Sequence, residues 1–211
     1  MNYLNKLERK IGKYAIPNLS LWLVVTYALG YLMMYMTPGI ISYLMLEPAM
    51  VLRGQVWRLV TWVLIPPSTG NIFFYIIMIM LYYSLGTALE RTWGTFRFNL
   101  FYFGGLLLVV IMTFIFYLFL QLGLVPNAAT AYMDYMLSAN IMDDLNQTMF
   151  LAFAFAFPDA QFLVYFIIPV KAKWLSIVYL LMDGYMFVRY LMSGYYYSAA
   201  VILVLLLNFF I

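Results

Sequence analysis

Five polar side chains stand where an otherwise apolar chain has little reason to keep them. Asp143, Asp144, Asn146 and Gln147 form one run, "MDDLNQT", directly ahead of an apolar segment, and Asp183 stands alone in "LLMDGYMF". Two carboxyls held together at membrane depth can divide the roles of acid and base, one protonated and one ionised, which is the chemistry of intramembrane aspartyl hydrolysis. A lone intramembrane carboxyl also marks a polar contact or a lined cavity, because it is costly to bury without a partner. The Gly-x-Gly-Asp signature of aspartyl enzymes of this kind is absent. The 211 residues include no histidine and no cysteine. Thiolate chemistry, disulfides and a serine activated by a histidine base are therefore excluded. A zinc site would need carboxylates alone, which is unusual. No cofactor and no nucleic-acid partner is expected.

The elements that must hold these residues are membrane helices. The chain is 67% hydrophobic and 9% charged, and its apolar runs are continuous rather than alternating, which favours helices over a barrel. The expected fold is an all-α polytopic membrane protein with six spans, near residues 19–36, 71–89, 100–122, 145–157, 174–191 and 195–211. Residues 1–18 form a separate amphipathic segment and residues 19–211 the transmembrane domain. In that segment Leu4, Leu7, Ile11 and Tyr14 share a face, with Lys6, Arg9, Lys10 and Lys13 on the others. It serves as a positive-inside signal or as an interfacial helix on anionic lipid. With the N-terminus cytoplasmic, eight Lys and Arg fall inside and three outside. The fourth span is the short one: 13 residues make roughly 20 Å of helix against a hydrocarbon core of about 30 Å. Asp143, Asp144, Asn146, Gln147 and, deeper, Asp183 are therefore expected to line a polar cavity open to the outside. Ala152, Ala154 and Ala156 leave small residues on two faces of this span, as suits a central helix.

Two further clusters are architectural. Residues 38–70 are too polar for a span and too apolar for a free loop, and read as short interfacial helices. Within them, in "LRGQVWRLVTWVL", Arg58 is expected to bond loop carbonyls while Trp57 meets the bilayer and Gln55 flanks them. In "YYSLGTALERTWGTFRFN", Glu90, Arg91, Gly94 and Arg97 mark a tight turn, with a Glu–Arg pair clamping it. No internal repeat is visible, which speaks against a carrier built from duplicated halves.

These motifs carry a resemblance. "GQVWRLVTWVL" is similar to the first-loop motif of rhomboid intramembrane proteases and derlins, "YYSLGTALERTWGTFRFNLFYFGG" to the rhomboid junction of the second and third spans, and "FPDAQFLVYFIIPVKAKWL" to the segment after the fourth. Together they cover most of residues 50–180 in the family's order. The resemblance fails where a protease needs it. "SANIMDDLNQTMFLAFAF" has no Gly-x-Ser-Gly, with Ser138 and Thr148 the nearest hydroxyls, and the last span has no histidine. It implies a rhomboid-like pseudoprotease in a bacterial plasma membrane. Such a protein is expected to bind transmembrane helices of client proteins in quality control or trafficking. The alternatives are an aspartate-based intramembrane protease and a solute or lipid transporter.

Overall fold

The structure, a computed structural model, describes residues 3–37, 39–66, 72–126, 141–164 and 168–208. Four helices among the described residues are long and apolar enough to cross a membrane: α2 (Leu19–Met36), α6 (Ile72–Trp93), α7 (Thr95–Gln121) and α9 (Ala172–Ser193). Two shorter helices, α8 (Ile141–Ala156) and α10 (Tyr196–Asn208), complete the bundle. Ahead of them lies α1 (Tyr3–Ile11), and α3 (Ile41–Leu44), α4 (Pro48–Leu52) and α5 (Arg58–Thr61) form the loop between α2 and α6. The expectation of an all-helical bundle thus holds for the core, and among the described residues four of the six expected spans are established by length.

The helix limits differ from the expected ones for identifiable reasons. The second and third spans do not end at a polar turn; α6 runs on to Trp93 and α7 starts at Thr95, with Gly94 alone between them. Gly94 has φ +88°, a conformation that a Cβ disfavours, and its N–H still closes the last turn of α6 on the Glu90 carbonyl at 2.9 Å. The fourth helix starts at Ile141 rather than 145, so Asp143 and Asp144 lie in its first turn, where the helix dipole favours negative charge.

Glu90, Arg91 and Arg97 do not clamp the turn between them. Glu90 accepts the Asn18 N–H at 2.9 Å. Arg97 reaches α1, with Nε 3.9 Å from the Glu8 carboxylate and Nη2 donating to Asn5 Oδ1 at 3.2 Å, while Arg91 is exposed. Buried Asn99 accepts the Ile16 N–H at 2.8 Å and donates to the Ile16 carbonyl at 3.0 Å. The turn is therefore a dock for the N-terminal segment. The unpaired N–H groups and carbonyls ahead of a helix are stronger partners for Glu90 and Asn99 than neighbouring side chains on the same turn.

The segment after α8 is also not helical. Residues β1 (Gln161–Val164) and β2 (Ile168–Lys171) pair antiparallel, Gln161 opposite Lys171. Pro169 stands in β2, tolerable because a two-stranded ribbon has only edges. At its base Lys171 Nζ lies 2.9 Å and Lys173 Nζ 3.5 Å from Asp159. The Lys171 hydrogen bond and the two ammonium charges hold the exposed Asp159 carboxyl below the ordinary carboxylate range.

At the centre is α8, packed on α6, α7, α9 and α10. Ten of its 16 residues are buried, Ala152 and Ala154 among them, as the small residues foretold. At the periphery is α9, where only Ala172 is buried.

Candidate functional site

The first loop folds around Arg58. Its guanidinium is buried, donates through Nε to Gln55 Oε1 at 2.7 Å and through Nη1 to the carbonyls of Ser42 at 2.8 Å and Met45 at 3.1 Å. The expected bonding to loop carbonyls is present. A partner that the sequence reading missed is Glu47, likewise buried, with Oε2 3.6 Å from Nη1. Trp57 is half-exposed on the outside of the loop, and it is Trp62 that is buried. This cluster is structural: every group in it faces another part of the same loop.

The polar residues of α8 and α9 form the candidate site. Asp143, Asp144 and Gln147 from α8, Asp183 from α9 and Ser198 from α10 line a cavity of about 510 Å³ between the three helices. On α9 the lining residues Tyr179, Met182, Asp183, Met186 and Tyr190 recur at three- and four-residue spacing, so they form one stripe along the helix. Gln147 Nε2 lies 2.8 Å from both carboxylate oxygens of Asp183. That contact joins the central helix to the peripheral one. It also supplies the partner for Asp183 that the sequence left open. Asp144 lines the same cavity as Asp143 and Asp183.

One expected member is elsewhere. Asn146 points away from the cavity and is fully buried. Its Oδ1 accepts the Tyr27 hydroxyl at 2.9 Å, and the Tyr27 oxygen lies 3.1 Å from the Tyr102 hydroxyl. Tyr27 has one proton and gives it to Asn146, so Tyr102 must donate to Tyr27. The reason for the split is helical geometry: Asn146 and Gln147 are adjacent and so about 100° apart around α8. Asn146 is therefore a bolt between α2, α7 and α8. Tyr27→Phe leaves its carbonyl buried without a donor, and is expected to cost about 1–3 kcal/mol in denaturant unfolding while leaving the cavity unchanged. Ser138, residues 67–71 and most of the acidic stretch ahead of α8 lie outside the described residues.

Tyr179, Tyr190, Tyr195 and Ser198 are cavity residues that sequence reasoning missed. The signal for the first two was present, since Tyr179, Asp183, Met186 and Tyr190 keep a helical period on an otherwise apolar span. Chemically the cavity offers carboxylates, hydroxyls and one amide, hence acceptors for a basic or hydrogen-bonding group. No group of three or more acidic residues among those described is placed to hold a metal ion.

A family model described as "Eukaryotic integral membrane protein (DUF1751)" matches residues 18–208. The chain belongs to this family. It is an integral membrane protein whose matched region begins at the start of α2 and runs to the end of α10. No curated protein and no solved structure matches the chain. The description of DUF1751 as eukaryotic gives no support to the bacterial plasma membrane expected from the sequence. In this DUF1751 protein the cavity between α8, α9 and α10 is lined by Asp143, Asp144, Gln147 and Asp183.

Proposed function

We propose that the protein is a non-catalytic, rhomboid-like membrane protein that receives a transmembrane segment of another protein at the cavity between α8, α9 and α10, in membrane-protein quality control or trafficking. The observation that carries this reading is Asp183. It lies midway along a peripheral helix with one buried residue, lines the cavity, and is bonded by a neutral amide from the central helix. A client span bearing a basic or amide side chain can take the place of Gln147 at Asp183, and the apolar surface of α9 then lies against the client. The length of α8 supports access: 16 residues make about 24 Å of helix, short of the roughly 30 Å hydrocarbon core, so the bilayer thins or water enters beside it. The eight-to-three division of Lys and Arg supports a cytoplasmic N-terminus and a cavity at the opposite end. The rhomboid-like sequence order and the helices α8 and α10, added to the four long ones, support a six-span arrangement.

The test uses the full chain in liposomes with a fluorescent single-span peptide carrying one mid-span lysine. Binding by energy transfer without cleavage is expected. Asp183→Leu should weaken it about tenfold, the weight of one interhelical polar contact in a membrane. Unchanged binding in Asp183→Leu would contradict the proposal. A second reading, aspartate-based hydrolysis, draws on the three carboxyls sharing one cavity. It requires peptide cleavage that Asp183→Asn abolishes.

A further inference from the structure

A second concave site shares no lining residue with that cavity. Between α2 and α7 runs an apolar groove of about 660 Å³. Its walls are Trp22 and Leu23 from α2 and Phe103 and Leu106 from α7, its floor is Tyr102, and Tyr14 stands at its mouth. The two helices have little direct packing: α2 packs on α6, and α7 packs on α6 and α10. They are bridged at the groove floor, where the Tyr27 and Tyr102 hydroxyls meet. Trp22 and Phe103 keep large exposed faces, so the groove opens sideways, toward the hydrocarbon.

The mouth differs from the walls. The Lys13 ammonium stands 4.9 Å from the centre of the Tyr14 ring, and the Asn99 amide pins the adjoining chain at Ile16. Glu8 is the one acidic residue among residues 1–18, and it faces Arg97. Lys6, Arg9, Lys10 and Lys13 are exposed, and no described carboxylate pairs with Lys13. The groove is thus amphipathic along its length, cationic at the membrane surface and apolar below. The part of α2 that lines it, Leu19 to Thr26, rises about 10 Å, a third of the hydrocarbon core. Below the mouth the hydroxyls are committed: Thr26 donates to its own helix at the Trp22 carbonyl at 2.8 Å, and Tyr102 donates to Tyr27. A chain without polar groups fits such walls, whereas an extended peptide backbone would leave its own groups unpaired.

We propose that this groove holds one anionic glycerophospholipid, an acyl chain lying between Trp22 and Phe103 and the headgroup phosphate on Lys13. Tyr14 then occupies the interfacial depth that aromatic rings prefer. The site is independent of the α8–α9–α10 cavity.

Native mass spectrometry of the full chain in mild detergent, titrated with phosphatidylserine and phosphatidylcholine of identical acyl chains, tests this. One phosphatidylserine should bind with about a fivefold preference, the weight of one lysine facing anionic lipid. Lys13→Gln, at an exposed position that leaves folding intact, should remove the preference and keep the residual phosphatidylcholine binding. Leu106→Trp should fill the groove and weaken both lipids. Equal binding of the two lipids by the unaltered chain, or a preference that survives Lys13→Gln, overturns the proposal. So does displacement of the bound lipid by soluble glycerophosphoserine, since a headgroup alone would then suffice.

Discussion

Arg58→Ala should cost about 3–5 kcal/mol of stability, the range for removing one partner of a buried ion pair, whereas Arg53→Ala should stay within about 0.5 kcal/mol. The guanidinium of Arg58 satisfies two loop carbonyls and Gln55 while balancing the buried charge of Glu47. Alanine leaves all four without their donor. Arg53 is exposed at the end of α4 and has no such dependants. Lysine at position 58 keeps the charge but cannot reproduce a planar fork reaching three acceptors, so Arg58→Lys should recover only part of the loss. Glu47→Leu combined with Arg58→Met should recover more, because no charge is then buried alone. Denaturant unfolding in detergent micelles reads these differences, and equal tolerance of Arg53→Ala and Arg58→Ala would contradict the loop's description.

Gly30→Ala is the second large effect. A Cβ on Gly30 would collide with the Leu64 carbonyl oxygen and fall 2.8 Å from its carbon, so backbone meets backbone and neither side has a rotamer to change. The loop must lift off α2, at a cost of about 3 kcal/mol, the upper part of the overpacking range. Gly105 is the informative contrast. There a Cβ would meet Leu145 Cδ1 at 2.6 Å and Asn208 Nδ2 at 2.8 Å, the ends of side chains that can turn aside, and Gly105→Ala should cost about 1 kcal/mol. Gly184→Ala meets nothing within 4 Å and should be neutral. Melting temperatures are expected to rise in the order Gly30→Ala, Gly105→Ala, Gly184→Ala. A Gly30→Ala protein as stable as Gly184→Ala would mean that the loop does not rest on α2.

The helical bundle was legible because lipid leaves the backbone few choices, so apolar length alone locates α2, α6, α7 and α9. The buried guanidinium was legible for a similar reason: Arg58, amid tryptophan and valine, needs acceptors, and a loop supplies carbonyls. Its acidic partner was not, because Glu47 is 11 positions earlier in sequence and only the folding back of α4 brings it near. The β1–β2 hairpin was hidden by composition, since "QFLV" and "IPVK" are as apolar as a span and only their pairing distinguishes them. Asp143, Asp144, Gln147 and Asp183 were read from the sequence as lining a polar cavity, because they are polar residues out of place. That Asn146 leaves it for Tyr27 depends on the rotation of α8 against its neighbours, which hydropathy does not encode. The role of Glu90 and Arg97 was misassigned because charge spacing along one turn gives no notice of a segment, residues 1–18, arriving from elsewhere in the chain.

The most direct test of the central claim is photocrosslinking in cell membranes, with a photoreactive residue at Met186, on the cavity stripe of α9, and for comparison at Phe119, on the exposed surface of α7. The account predicts discrete adducts with membrane proteins at Met186, reduced by Asp183→Leu in the same chain, and only lipid adducts at Phe119. Equal protein adducts at the two positions, or adducts at Met186 indifferent to Asp183→Leu, would contradict it.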